Sequence, residues 1–346
     1  MSQTTKPVVM GVAGASGWGK NVVRAFSIAR GGSLRWVCDL NPELLAATEQ
    51  RHPGIRTTNS WDTVLADDDV KAVAIAVDVP NHYTLAKQSL LAGRHVFVEK
   101  PLTLKGKDAS HLCELAQERN LILMVGHLLL YHPAIEMAKA RIDSGEFGDV
   151  YYIYSQRVNL GVVREKENAW WSLAPHDIAV AMYLFGGAPE SVSATGAVYL
   201  QREKGVEDIA FAALRFPGGR MAHVQVSWLD PHKQRSLTIV GSKKMLTFDD
   251  TASDDKVRIY DKSAIPRAGF STFAEGVAVR TGDMLAPALA NTEPLLAECE
   301  HFLDSVRTGK QPRSDGRQGL AVVQALEAGQ QSMALGGTPV AIRTET

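Results

Sequence analysis

The sequence predicts an α/β protein: an N-terminal doubly wound parallel sheet, then a second α/β domain with a mainly antiparallel sheet covered by helices on one face. Three observations predict it. Short apolar runs without polar alternation recur through the first third, separated by helical patterns, as in strands buried on both faces. Beyond residue 127 the rhythm changes, and from residue 190 onward closely spaced strands joined by turns follow with little helix between them. The length of 346 residues suits two cores rather than one.

The first strand, 8–13, ends in a glycine cluster, and 20–30 then places Val22, Val23 and Phe26 on one helical face. Strand 34–38 is followed by Asn41-Pro42, a cap residue ahead of proline at the first helical position, which opens a helix to residue 51. Strands at 55–58, 72–77, 95–99 and 121–126 alternate with helices at 60–66, 81–92 and 108–120. These six strands make a domain of residues 1–126. A helix at 133–144 leads to a strand at 150–158, and Pro175 marks the entry to a helix running to 185. Strands follow at 191–200, 208–216, 220–228, 236–240, 245–248 and 257–260, with turns such as Pro217-Gly218-Gly219 between them. Residues 264–291 are ambiguous and read as a long loop. Helices at 294–308 and 317–334 close a second domain of 127–346, with the option of packing back on the first.

Composition excludes several classes. Lysine plus arginine (37) nearly cancels aspartate plus glutamate (38), so no bulk basic field serves a nucleic acid. With 45% hydrophobic and 22% charged residues the chain is an ordinary globular protein. Cys38, Cys113 and Cys299 are odd in number and lack a CxxC pair, which excludes a disulfide framework and fits a reducing compartment. There is no signal-peptide layout and no apolar run of membrane-spanning length, so a cytoplasmic protein without a membrane partner is expected. The ten histidines are scattered, H-E-x-x-H is missing, and only apolar residues and Tyr131 separate His127 from His132, so no metal site is expected. A G-x-S-x-G elbow and a Walker loop are missing too.

Three places carry chemistry. The first is Gly14-Ala15-Ser16-Gly17-Trp18-Gly19, a loop between strand and helix where backbone N–H groups can face a pyrophosphate. The usual pattern is G-x-G-x-x-G; here Ser16 replaces the second glycine, and Gly11-x-x-Gly14-x-x-Gly17 is an alternative register. Asp39 ends the second strand twenty positions after Gly19, where an acid accepts the ribose hydroxyls and repels a 2′-phosphate, so NAD is favoured over NADP. The second is Glu99-Lys100-Pro101 at the carboxyl end of a buried strand, where Lys100 can stabilise an alkoxide as hydride leaves. Val77 and His82 sit at the mouth of the neighbouring strand and line the same crevice. The third is Trp170–Asp177, in which His176 stands in the first turn of a helix and suits proton exchange with an alcohol.

Together these residues resemble the Gfo/Idh/MocA family of NAD(P)-dependent sugar oxidoreductases. The likeness rests on the glycine loop, the alanine-rich strand from Ala74 toward His82, the E-K-P tripeptide at 99–101 and the helix bearing His176, and it extends to the closing helix at 293–309. The family implies a Rossmann domain, a second domain with an open-faced sheet used for homodimer or homotetramer assembly, and a cis bond between Lys100 and Pro101. Val125-Gly126-His127 through His132-Pro133, Arg157-Val158-Asn159-Leu160-Gly161 and Leu173–Ile178 resemble the branch that oxidises the 3-hydroxyl of UDP-N-acetylglucosamine. That branch supplies a ketone to an aminotransferase for 2,3-diamino sugars of the lipid A type. Ser172, four residues before His176, stands where the family usually has aspartate; serine can orient an imidazole but adds no charge.

The expected enzyme is therefore an NAD-dependent sugar dehydrogenase with Lys100 and His176 as catalytic residues. Gly14, Ser16, Gly17, Trp18, Gly19, Asp39, Val77, His82 and Glu99 are the expected cofactor contacts. Arg157, Asn159 and Trp171 are candidate substrate contacts, arginine because its fork suits a diphosphate. A dehydrogenase of a polyol or a UDP-linked uronate, and a non-catalytic NAD-binding sensor, are the alternatives.

Overall fold

Val8–Ala13 forms β1 and is buried along almost its whole length, as an apolar run sandwiched between helical layers must be. The computed structural model describes residues 6–161, 163–164, 167–266 and 277–342. From β1 the chain continues through α1 (Gly19–Ile28), β2 (Gly32–Cys38), α2 (Pro42–Arg51), β3 (Arg56–Thr58), α3 (Trp61–Leu65) and β4 (Ala72–Ile75). Then come α4 (His82–Leu91), β5 (His95–Glu99), α5 (Gly106–Glu118), β6 (Leu123–Gly126), α6 (Pro133–Asp143), β7 (Val150–Val158) and α7 (Ala169–Phe185). A run of strands follows: β8 (Ser191–Ala197), β9 (Ile209–Arg215), β10 (Met221–Ser227), β11 (Gln234–Gly241), β12 (Met245–Asp249), β13 (Val257–Pro266) and β14 (Val277–Leu285). α8 (Pro294–Thr308), α9 (Gly316–Ala334) and β15 (Val340–Ala341) complete it.

Contacts divide the chain into two units, Met1–Tyr131 with Thr292–Val323 and His132–Asn291 with Gln324–Thr346. The first unit holds a parallel sheet of order β3-β2-β1-β4-β5-β6. Strand order reverses between β1 and β4, which opens a crevice beyond their carboxyl ends, the ligand position of doubly wound sheets. α8 packs on α1, where Phe26, Phe97 and Phe302 meet edge-on at 5.6–6.1 Å. Its buried stripe is Leu295, Cys299, Phe302 and Leu303, and Glu298 lies on that same stripe with no exposed surface.

The second unit carries a nine-stranded sheet, order β14-β13-β12-β11-β7-β10-β9-β8-β15. It is antiparallel apart from β7 beside β10. Alternation fixes its two faces. Ile153, Ser155, Ala222 and Val224 are buried on the side where α7 packs, while Tyr152, Tyr154, Phe211 and Met221 are exposed on the other.

Two expectations are corrected. The helix expected to begin at Pro175 begins at Ala169, so Pro175 is interior and His176 lies in the third turn rather than the first. An interior proline costs a helix about 3 kcal/mol, but the preceding turn is anchored from outside. Asn168 caps it by accepting from Trp171 N at 3.0 Å and donates to Glu207 and Gln330, each at 2.7 Å. Trp170 is fully buried and donates to Leu326 O at 2.9 Å. The stretch read as a long loop contains β14, which pairs with an extended β13, an edge hairpin whose exposed side chains leave no apolar periodicity to read. Residues 267–276 of that stretch lie outside the described residues.

Candidate active site

The glycine loop is shaped by what it passes over. Gly14 has φ +96°, and a Cβ there would lie 2.5 Å from Ala76 O and 3.1 Å from Val77 N. Only glycine takes that conformation and that approach without strain. Val77 thus lies directly against the loop. Gly19 opens α1, with its N–H donating to Ser16 O at 2.7 Å. Asp39 ties the loop to the end of β2: Oδ2 accepts from Ala15 N at 2.7 Å and Oδ1 from Asn41 N at 2.9 Å. Each carboxylate oxygen keeps a second acceptor site.

Trp18, nearly half exposed, reaches from the loop to the next strand end, its Nε1 donating to Glu99 Oε1 at 2.8 Å. Glu99 Oε2 accepts weakly from Lys100 N at 3.3 Å. Burial raises the Glu99 carboxyl to about 7, against the lowering pull of the Trp18 indole and the Lys100 ammonium. The Lys100–Pro101 bond is cis. His82 is buried, with ring nitrogens 2.9 Å from Pro101 O and 3.0 Å from Val77 O. Burial holds this imidazole below its ordinary value. Its position is that of a bracket between the two strand ends: each ring nitrogen faces a main-chain carbonyl, and the neutral ring donates to one of them.

In the second unit, His176 is half-buried on α7. With the helix beginning at Ala169, Ser172 falls one turn before His176 on the same face. The next residue, Asp177, is buried and takes the Arg157 guanidinium as a fork, Nε donating to Oδ2 at 2.7 Å and Nη2 to Oδ1 at 3.3 Å. Arg157 therefore anchors β7 to α7. Asn159 just beyond β7 has its N–H on Ser227 O at 3.2 Å and its amide against Gly161. Trp171 is half-buried in the first turn of α7.

Two family models match in sequence order. Residues 8–127 match the oxidoreductase family with an NAD-binding Rossmann fold, and 135–247 match the GFO/IDH/MocA C-terminal domain. The chain belongs to the Gfo/Idh/MocA oxidoreductases. Among its relatives, UDP-N-acetylglucosamine 3-dehydrogenase of Acidithiobacillus ferrooxidans is 29% identical over 295 residues, 84% of this chain and 87% of the relative. The solved structure of that enzyme matches with a TM-score of 0.79 at 25% identity, covering 96% of this chain and 99% of that one. The NAD-dependent scyllo-inositol 2-dehydrogenase of Bacillus subtilis is 29% identical over 177 residues, 49% of this chain and 52% of the relative.

As a Gfo/Idh/MocA member the chain is an NAD-dependent oxidoreductase acting on sugars, and the first unit fits the dinucleotide. A Cβ at Gly17 would meet no atom within 4 Å, so the loop offers open backbone to a pyrophosphate ahead of the α1 N-terminus. Asp39 stands at the end of the neighbouring strand. Among the described residues no group of three or more His, Cys, Asp or Glu is placed to hold a metal ion. No helix among them is long and apolar enough to cross a membrane.

Four residues near these groups were given no site role from the sequence. Asp177 holds Arg157; Gly126 gives room to Glu99, since a Cβ there would lie 3.1 Å from its Cδ and Oε2. His127 is buried, its ring nitrogens without a hydrogen-bond partner among the described residues, and burial lowers it to about 3. Glu298 was legible as an acid at i+3 from Leu295 and i−4 from Phe302, on an otherwise apolar stripe.

Proposed function

We propose that this enzyme uses NAD to oxidise the 3-hydroxyl of UDP-N-acetylglucosamine to a ketone, feeding an aminotransferase for 2,3-diamino sugar synthesis in the cytoplasm. The observation that carries it is the joining of the glycine loop to the Glu99-Lys100-Pro101 turn by Trp18, in a chain similar along 84% of its length to an enzyme of that name. On this reading residues 1–126 bind the cofactor and 127–346 bind sugar and assemble.

NAD, when bound, accepts the hydride. Gly14, Ser16, Gly17, Trp18 and Gly19 hold the pyrophosphate side, and Asp39 accepts the ribose hydroxyls. Val77, His82 and Glu99 shape the strand ends around it. Lys100 donates to the reacting oxygen and stabilises its developing charge. His176 takes the hydroxyl proton; Ser172, one turn away, suits orientation of the ring without adding charge. Arg157 has two nitrogens committed to Asp177, which leaves Nη1 for a diphosphate oxygen. Asn159 and Trp171 complete the sugar contacts. The exposed Tyr152, Tyr154, Phe211 and Met221 form the surface through which a homodimer or homotetramer assembles.

A panel of nucleotide sugars and polyols mixed with NAD tests the substrate by absorbance of the reduced cofactor. Turnover on UDP-N-acetylglucosamine alone is expected. Turnover on inositols instead would favour the polyol reading that the scyllo-inositol relative supports. Lys100→Ala should lower kcat by about 10²-fold or more while NAD affinity stays within a few-fold. A variant turning over like the parent would remove Lys100 from the mechanism.

A further inference from the structure

The second unit holds a buried carboxyl to which the reaction gives no role. Asp208, the residue before β9, has no exposed surface. Its Oδ2 accepts from Tyr199 N at 2.7 Å and from Leu200 N at 2.9 Å, while Oδ1 has no hydrogen-bond partner among the described residues. Tyr199 and Leu200 lie in the connection from β8 to β9 and are exposed, so burial of apolar groups does little to hold this turn. The next residue carries the hold outward. Gln201 bridges to Val206 across the connection, and its Nε2 donates to Arg164 O at 2.7 Å.

Arg164 belongs to the connection that leaves β7 at Asn159 and enters α7, the helix of Trp171, Ser172 and His176. That connection is fastened at both ends as well. Asp208 O accepts from Trp228 N at 2.9 Å, and Trp228 O accepts from Gly161 N at 3.2 Å. Ala169 N donates to Glu207 O at 2.9 Å, and the Glu207 carboxylate takes Asn168 at 2.7 Å and Gln330 at 3.0 Å. The end fastenings need only main chain and Glu207; the one between them, through Gln201, depends on the turn that the Asp208 side chain orders. We propose that Asp208 is a positioning residue for the sugar: its carboxyl orders the Tyr199–Leu200 turn, Gln201 passes that order to Arg164, and the β7–α7 connection is thereby set in the place from which it meets the substrate. This rests on the reading of Asn159 and Trp171 as sugar contacts. The role is hydrogen-bond acceptance and not charge, because both donors are neutral amides on a single oxygen. Asparagine offers such an oxygen and turns its amide to the side where Oδ1 has no partner.

The test uses the full-length enzyme with NAD and the sugar that the parent turns over. Asp208→Ala and Gln201→Ala should each raise the sugar KM about fivefold, within the worth of one neutral hydrogen bond. The KM for NAD and kcat should stay within about twofold, as for a loss confined to sugar binding. The double variant should be no worse than either single one, because the two residues act in series. Asp208→Asn should hold the sugar KM within about twofold of the parent. Gln201→Ala with the parent's sugar KM overturns the proposal, as does an Asp208→Asn variant as impaired as the alanine, or sugar and NAD KM rising together. Amide hydrogen exchange on the protein alone gives a readout that needs no turnover. Tyr199 and Leu200 should be protected in the parent and exchange freely in Asp208→Ala, and Asn159 and Gly161 should exchange faster in both alanine variants. Unchanged exchange at Asn159 and Gly161 overturns the proposal. If both alanine variants raise the sugar KM while Asn159→Ala leaves it at the parent's value, the proposal stands and the reading of Asn159 as a sugar contact is what fails.

Discussion

At the scale of single residues, Asp39 does two things at once. Its oxygens accept Ala15 N and Asn41 N, and each keeps a second acceptor site, which on the proposed reading takes a ribose hydroxyl. Asp39→Ala should therefore relax discrimination against NADP and also weaken NAD itself, because the loop loses its tether. Measured kcat/KM values for both cofactors check this. NADP preferred by the parent would show the ribose reading to be wrong. The places of Asp39, Lys100 and the glycines were legible because each follows directly on a strand that its apolar run marks. For Glu298 the sequence offers one signal, an acid on an otherwise apolar stripe, but a lone acid in a helix is ordinarily a solvated one, and only packing of α8 against α1 reveals that this one is buried.

At the scale of elements, α7 depends on its fastenings. Asp177 is buried and its fork with Arg157 joins helix to strand. Removing one partner of such a pair leaves an uncompensated buried charge, so Arg157→Ala should destabilise the protein by about 3–5 kcal/mol in denaturant unfolding. A loss of nucleotide-sugar affinity with unchanged stability would instead make Arg157 a substrate contact and nothing more. The turn from β1 to α1 is equally exacting. Gly14→Ala places a Cβ 2.5 Å from Ala76 O at a positive φ, which costs at least about 1–2 kcal/mol. It should show as a lower Tm together with loss of NAD binding by calorimetry. The start of α7 escaped sequence reasoning because proline reads locally as the first residue of a helix, and the anchors that hold the turn before it, Glu207, Leu326 and Gln330, come from distant segments.

At the scale of the whole molecule, buried ionisable groups set how stability follows pH. Glu99 is raised to about 7 and Glu298 well above its ordinary value, so the folded state binds more protons than the unfolded one; both contributions are full below about 4.5, that of Glu99 is lost as pH rises through 7, and that of Glu298 is lost as pH rises through its own raised value. His127 runs the other way. Lowered to about 3, it contributes fully above about 6.5 and loses that as pH falls toward 3. The two oppose each other between about 4.5 and 6.5, and above 6.5 the carboxyls act unopposed. Calorimetry should find Tm falling by a few degrees from about pH 6.5 to 8.5, and Glu298→Gln should flatten that fall. The sequence by itself determined the doubly wound sheet, the NAD-type loop with Asp39, and Lys100 at a strand end, because apolar period and strand-end position are local properties of the chain. Only the tertiary structure decided that His82 brackets two strand ends, that Arg157 is held by Asp177, and that Glu298 is buried with no hydrogen-bond partner among the described residues. Each of those depends on segments far apart in the chain meeting in a desolvated interior, and burial, unlike periodicity, is not written in any one stretch of residues.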